Sequence, residues 1–278
     1  GIAGAGGRMG ADLIADAGDA LRAGMNVAAG LHQRLRDQPQ LVALAEERGL
    51  TLFDVRDPPA DLDVGKGYPR AGNRLLTVGT DCSVGKMYTT LALTRALKAR
   101  GVAADFRATG QTGILIAGDG VPIDAVVADF ISGGIERLAP ERHDDGWDLI
   151  EGQGSLFHPS FAGVSLGLLH GSQPKALVLC DEPGRPHMRG LPGRAVPGLA
   201  ETLAANLAAA QLTSADVRAV GVCLNTSKLD PADAKRACAR AEDELNLPCT
   251  DPMAFGVEAI IDNLTCAEPS QPATIASR

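Results

Sequence analysis

Short apolar runs recur along this chain at residues 51–55, 74–78, 102–107, 147–150, 175–180 and 217–224, and they read as strands buried between other layers. Stretches that repeat their apolar positions at helical spacing separate several of them, at residues 11–23, 40–48, 86–100, 199–211 and 232–245. A further short apolar run covers residues 26–31. This alternation predicts βα units built around a parallel sheet, an α/β fold.

The pattern breaks at residues 57–72, DPPADLDVGKGYPRAG, where Pro, Gly and charge suit neither helix nor strand. That break predicts a smaller α/β unit over residues 1–70 and a larger one over residues 71–278. The sequence opens on GIAGAGGRMG, a glycine-rich turn with no strand before it, so the expectation is that the first strands of the smaller unit are missing from it. The turn itself fails as a dinucleotide fingerprint. After Gly4-Ala5-Gly6 the third small residue would have to stand at Met9, and no acidic residue closes a second strand about 20 positions on.

Composition narrows the class. The 278 residues are 45 % hydrophobic but only 3 % aromatic, which suits closely packed helices on a buried sheet. Lys and Arg number 26 against 34 Asp and Glu, and the resulting net charge of −8 repels polyanions, so no nucleic-acid partner is expected. No apolar run approaches the roughly 18 residues of a membrane span, so no membrane partner is expected either. The six cysteines, Cys82, Cys180, Cys223, Cys238, Cys249 and Cys266, form no Cys-x-x-Cys pair. They read as reduced core thiols of a cytoplasmic protein, not as a zinc site or disulfide scaffold. A homo-oligomer is compatible with all of this.

The strongest local signal is Gly79-Thr80-Asp81-Cys82-Ser83-Val84-Gly85-Lys86, which fits G-x-x-x-x-G-K between an apolar strand and a helix. Small residues there let successive backbone N–H groups turn toward a phosphate, Lys86 adds a point charge, and the helix directs its positive end at the same spot. The next position, where a nucleoside triphosphatase carries the Ser or Thr that holds Mg²⁺, is Met87. A thioether has no affinity for a hard cation, so phosphate binding without a metal is expected.

Other candidates sit where predicted strands end, the usual place for ligand-binding residues in open α/β sheets. Glu151, in EGQGS, is a candidate general base, Gln111 and Thr112 suit polar contacts to a substrate, and Asp124 and Asp129 stand in a mostly apolar run. In residues 181–190, DEPGRPHMRG, Arg185 and Arg189 are suited to a bidentate grip on a carboxylate or phosphate, with His187 between them. His158 and His170 carry imidazoles able to titrate near neutrality, although a single His is more often structural.

The strings TVGTDCSVGKMYT, FRATGQTGILIAGDG, VVADFISGG, IEGQGSLFHPSF, GLLHGSQP, EPGRPHMRGLP and LNTS, with AGLH near the start and DPMAFG near the end, resemble the D-glutamate N-acetyltransferase family, a bacterial family once known only as a domain of unknown function. The resemblance runs over nearly the whole chain. It implies a Rossmann-like N-terminal domain and a P-loop C-terminal domain similar to dethiobiotin synthetase. The implied reaction moves the acetyl group of acetyl-coenzyme A to the amino group of D-glutamate, for catabolism, with no metal required. On that reading the loop from Gly79 to Lys86 binds a coenzyme A phosphate, Glu151 or Asp129 is the base with His170 a further candidate, and Arg185 and Arg189 hold the substrate carboxylates. Met87 agrees with the acetyltransferase branch, whereas Asp181 stands where relatives commonly carry His, a departure that weakens any catalytic role for that position. Two rivals remain open from the residues: an ATP-dependent ligase or kinase using Mg²⁺, and a non-catalytic nucleotide-binding regulator.

Overall fold

Two parallel sheets carry the fold of the computed structural model, which describes residues 7–265. The smaller sheet belongs to the first part of the chain, in the order α1 (Ala11–Arg22), β1 (Val27–Ala29), α2 (Pro39–Arg48) and β2 (Leu52–Asp54). Pro39 in the first turn of α2 and Gly49 beyond its end, at φ 61°, are the start and stop signals that bound this helix. β1 and β2 pair in parallel with Val27 opposite Leu52. Leu21, Val27, Leu35, Leu41 and Ala45 form a core of their own beneath the pair.

The larger sheet comprises β3 (Asn73–Gly79), β4 (Ala104–Arg107), β5 (Trp147–Ile150), β6 (Ala176–Asp181), β7 (Arg218–Leu224) and β8 (Cys249–Thr250). Its order is β4-β5-β3-β6-β7-β8, with every pairing parallel. The helices are α3 (Lys86–Ala99), α4 (Gln111–Ala117), α5 (Ile131–Leu138), α6 (Ala162–Ser172), α7 (Leu199–Gln211), α8 (Pro231–Leu245) and α9 (Glu258–Thr265).

Successive side chains of a strand face opposite ways, so each central strand feeds two cores. Leu76, Val78, Ile150, Leu177 and Leu179 pack toward α5, α6 and α7. Leu75, Leu149, Val178 and Cys180 pack toward α3 and α9. Covering both faces with helices is what makes these strands read as unbroken apolar runs. β3 lies between β5 and β6, where the chain's crossovers diverge to the two sides, and such a switch point opens a crevice at the strands' carboxyl ends.

Five elements go beyond the pattern in the sequence: α4, α5, α6, α9 and the two-residue β8. α5 and α6 are rich in glycine, a poor helix former, because the chain needs close approach there. A Cβ on Gly167 would run into the side chain of Ile131, and one on Gly171 would come within 2.5 Å of the Ser132 carbonyl. Cys180, Cys223, Cys238 and Cys249 are buried and Cys82 is half-buried, all as free thiols. Cys266 and the opening Gly4-Ala5-Gly6 turn lie outside the described residues. Among those residues, no helix is long and apolar enough to cross a membrane.

Candidate active site

At the end of β3 the chain wraps into the loop of residues 79–86. Ser83 takes φ 55° and Gly85, just before α3, takes φ 102°, which a residue without Cβ accepts at little cost. Gly79 is required for another reason, since a Cβ there would come within 2.8 Å of Val84 Cγ2 and 3.2 Å of the Cys180 carbonyl. Lys86 is the first residue of α3, and its buried ammonium donates to the Asp81 carbonyl at 2.7 Å. Burial pushes its pKa down, against the pull of the neighbouring Cys180, Cys82, Asp81 and Glu151.

Not every loop side chain faces the cleft. The Thr80 hydroxyl donates to Asp181 Oδ1 at 2.6 Å, and the Ser155 hydroxyl donates to the Thr80 carbonyl at 2.9 Å. Asp81 is fully buried; its Oδ2 accepts from the Arg185 guanidinium at 2.8 Å and from the Arg189 backbone N–H at 2.7 Å. Arg185 also donates to the carbonyls of Cys82 at 2.7 Å and Ser83 at 3.0 Å, and to Glu182. Arg185 is therefore a brace that fixes the outline of the loop, with both terminal nitrogens bonded to the protein. The structure turns them to the loop and not toward the carboxylate grip expected of them. Thr80 and Asp81 likewise act within the loop's own scaffold.

Two hollows open at the carboxyl ends of the strands. The first, about 510 Å³, is lined by Cys82, Ser83, Lys86 and Met87 from the loop and α3, by Gln111 and Thr112 at the start of α4, by Glu151 to Gly154 after β5, and by Arg189. Its remaining wall includes His32, Arg56 and Asp124. The second, about 760 Å³, runs along Leu224, Leu229, Pro252, Met253 and Phe255. Gly85, Tyr88 and Asn225 line both, so the two meet at the first turn of α3.

Glu151 is the buried carboxylate of the first hollow. Its Oε2 accepts from the backbone N–H groups of Thr109 at 3.0 Å and Gly110 at 3.1 Å. Burial raises its pKa, and the two N–H groups, Gln153 and Lys86 pull the other way without cancelling the effect. The Thr109 hydroxyl donates to the Glu151 carbonyl at 2.6 Å and fixes the strand end beneath it. Gly110 and Gly113 leave the room the carboxylate occupies: a Cβ on Gly110 would lie 3.1 Å from Oε1, and one on Gly113 would collide with Oε2.

The other expected acids and bases lie elsewhere. Asp129 is exposed in a 3-10 turn and lines neither hollow, because the carboxylate turns to water instead of the crevice. His170 sits near the far end of α6, which runs back from the crevice, and it lines neither hollow. His187 is exposed beside an antiparallel bridge to Ala195, outside both hollows. His158 is buried, with Nε2 paired to the Arg189 carbonyl at 3.0 Å and Nδ1 accepting the Ser160 N–H at 3.2 Å. Asp81, Cys82 and His158 bring ligand-type atoms within 4.8 Å of one another. Those contacts of His158 and Asp81, and the nearby cations of Lys86, Arg185 and Arg189, oppose a metal there.

Sequence reasoning missed His32, Arg56, Tyr88, Phe161 and Asn225 as lining residues. A usable signal existed for three of them. His32, Arg56 and Asn225 follow the ends of β1, β2 and β7, as the expected site residues follow theirs.

The chain matches two families. Residues 63–261 fit the P-loop domain described as domain of unknown function DUF1611_C, and residues 1–58 fit the Rossmann-like domain DUF1611_N. A D-glutamate N-acetyltransferase of a Pseudoalteromonas species is 50 % identical over 264 residues, 95 % of this chain and 80 % of the relative. One from Tritonibacter scottomollicae is 50 % identical over 264 residues, 95 % of this chain and 79 % of its own length. The crystal structure of a DUF1611 family protein from Anabaena variabilis, 42 % identical, superposes with a TM-score of 0.86 over 95 % of this chain and 78 % of that one.

Proposed function

The chain belongs to the DUF1611 family, with its Rossmann-like N-terminal and P-loop C-terminal domains, and on that premise we propose that it transfers an acetyl group from acetyl-coenzyme A to the amino group of D-glutamate. The observation that carries this reading is the extent of the two half-identical relatives named for the activity. They span 95 % of this chain, and so take in the phosphate loop and both hollows.

The geometry is suited to a long donor and a short acceptor. The loop before α3 offers backbone N–H groups and Lys86 to a phosphate of the donor. The 760 Å³ hollow suits its adenosine end, and the 510 Å³ hollow suits its thioester together with the amino acid. Tyr88 and Asn225, at the junction, border the path between the two.

Amine acylation requires an ammonium to lose its proton, a carbonyl oxygen to be held by donors as it gains charge, and a thiolate to leave. Glu151 is the base in this account, because burial raises its proton affinity while two backbone N–H groups fix its position. Lys86 and the first-turn N–H groups supply positive potential for the phosphate and the developing negative charge. Gln111 and Thr112 border the acceptor, and Arg189 supplies a cation at the loop's edge. Met87, in place of a Mg²⁺-holding hydroxyl, fits a donor whose phosphates are held but not cleaved.

The test is direct: the purified protein, given acetyl-coenzyme A without ATP, releases free thiol with D-glutamate and not without an acceptor. Release of ADP or phosphate from ATP with an amine substrate, and no thiol release, would replace this reading with a ligase or kinase.

A further inference from the structure

The acceptor proposed above carries two carboxylates and one ammonium, and with the terminal nitrogens of Arg185 turned to the loop its side-chain carboxylate has no assigned partner. Arg189 adjoins the phosphate loop, donating to the Ser83 hydroxyl and, through its backbone, to Asp81. On the proposed function its charge stands beside a phosphate of the donor. A second guanidinium lines the same hollow from the other sheet: Arg56 follows β2 as Arg189 follows β6.

Both parallel sheets direct their carboxyl ends at this hollow. From the smaller sheet come His32 after β1 and Arg56 after β2; from the larger come the phosphate loop, Gln111, Glu151 and Arg189. The Arg56 side chain is only 10 % exposed, and one of its terminal nitrogens donates to Asp124 Oδ2 at 2.6 Å. Asp124 is also a lining residue, from the P-loop side of the hollow. A guanidinium has five N–H donors in a rigid planar fork, so an arginine oriented by one carboxylate can still grip a second. Removal from bulk water strengthens that grip.

We propose that Arg56, held in place by Asp124, binds the side-chain carboxylate of the acceptor, so that the N-terminal domain sets the preference for an acidic amino acid. This rests on the reading of the hollow as an acceptor site. His32, on the same wall, adds polar surface beside that carboxylate.

The test separates binding from turnover. Calorimetric titration of the full chain with D-glutamate and D-glutamine should show at least a tenfold preference for the acid. In Arg56→Gln that preference should fall to near one, mainly through weaker binding of D-glutamate. Arg56→Lys, which keeps the charge but not the fork, should fall between the two. A merely structural clamp between the two domains would lower the melting temperature of Arg56→Gln and Asp124→Asn alike and leave the acid-to-amide preference unchanged, and that result would overturn the proposal. So would a wild-type protein that does not prefer the acid. Thiol release measured in parallel judges acetyl transfer independently, because an intact preference in Arg56→Gln with normal wild-type turnover overturns only the role of Arg56.

Discussion

Glu151 and Arg185 show how differently burial and partners leave two charged residues: one lines the hollow as the proposed base, the other braces the loop. The raised pKa of Glu151 comes first from its burial. A base works only when ionised, so kcat/KM should fall as the pH drops through that pKa, above the ordinary range of a glutamate. Glu151→Gln should remove this acid limb and lower kcat by about 10²- to 10⁴-fold, the usual contribution of a positioned base. A pH–rate profile of the variant that keeps the same limb would clear Glu151 of the role. Arg185 lies at the other extreme, with its donors divided among Asp81, Cys82, Ser83 and Glu182. Arg185→Ala leaves the Asp81 carboxylate buried without its ion pair, which costs about 3–5 kcal/mol. Denaturant melts should show that loss, and the KM for acetyl-coenzyme A should rise more than the KM for D-glutamate. The sequence placed both residues after strands, which is where they are. It could not distinguish them, because only the fold reveals that Arg185 turns back on the loop while Glu151 turns into the crevice.

Among the elements, the strands were the most legible. β3, β5, β6 and β7 bury apolar side chains on both faces, and that double burial is written as continuous hydrophobic runs. The phosphate loop was legible too, since its glycines answer steric demands such as those at Gly79 and Gly85. α5 and α6 were not, because their glycines serve contact between helices and local propensity argues against helix. The contact predicts a cost: Gly167→Ala drives a methyl into Ile131, and overpacking of this kind destabilises by about 1–3 kcal/mol. Thermal denaturation measures it. An unchanged melting temperature would mean that α5 and α6 separate more easily than their packing implies. β8, only two residues long, carries too few side chains to show a period at all.

Over the whole molecule, two parallel sheets present their carboxyl ends to one cleft. The larger sheet alone resembles a general phosphate-binding device, and its motif was visible as eight consecutive residues. The contribution of the smaller sheet was hidden, since His32 and Arg56 belong to no motif and meet the loop only through tertiary packing. Asp129 and His170, which belong to the same unit as the loop, are outside the cleft, so sharing a unit with the loop does not bring a residue to it. The cleft joins a roomy hollow to a smaller charged one across the first turn of α3, and the half-identical relatives are named for transfer of an acetyl group to D-glutamate. Thiol release from acetyl-coenzyme A, with D-glutamate, L-glutamate and no acceptor compared side by side and ATP absent, tests this most directly. Release that depends on D-glutamate is the predicted result, and an absence of release with every acceptor, while ATP is bound and turned over, would contradict it.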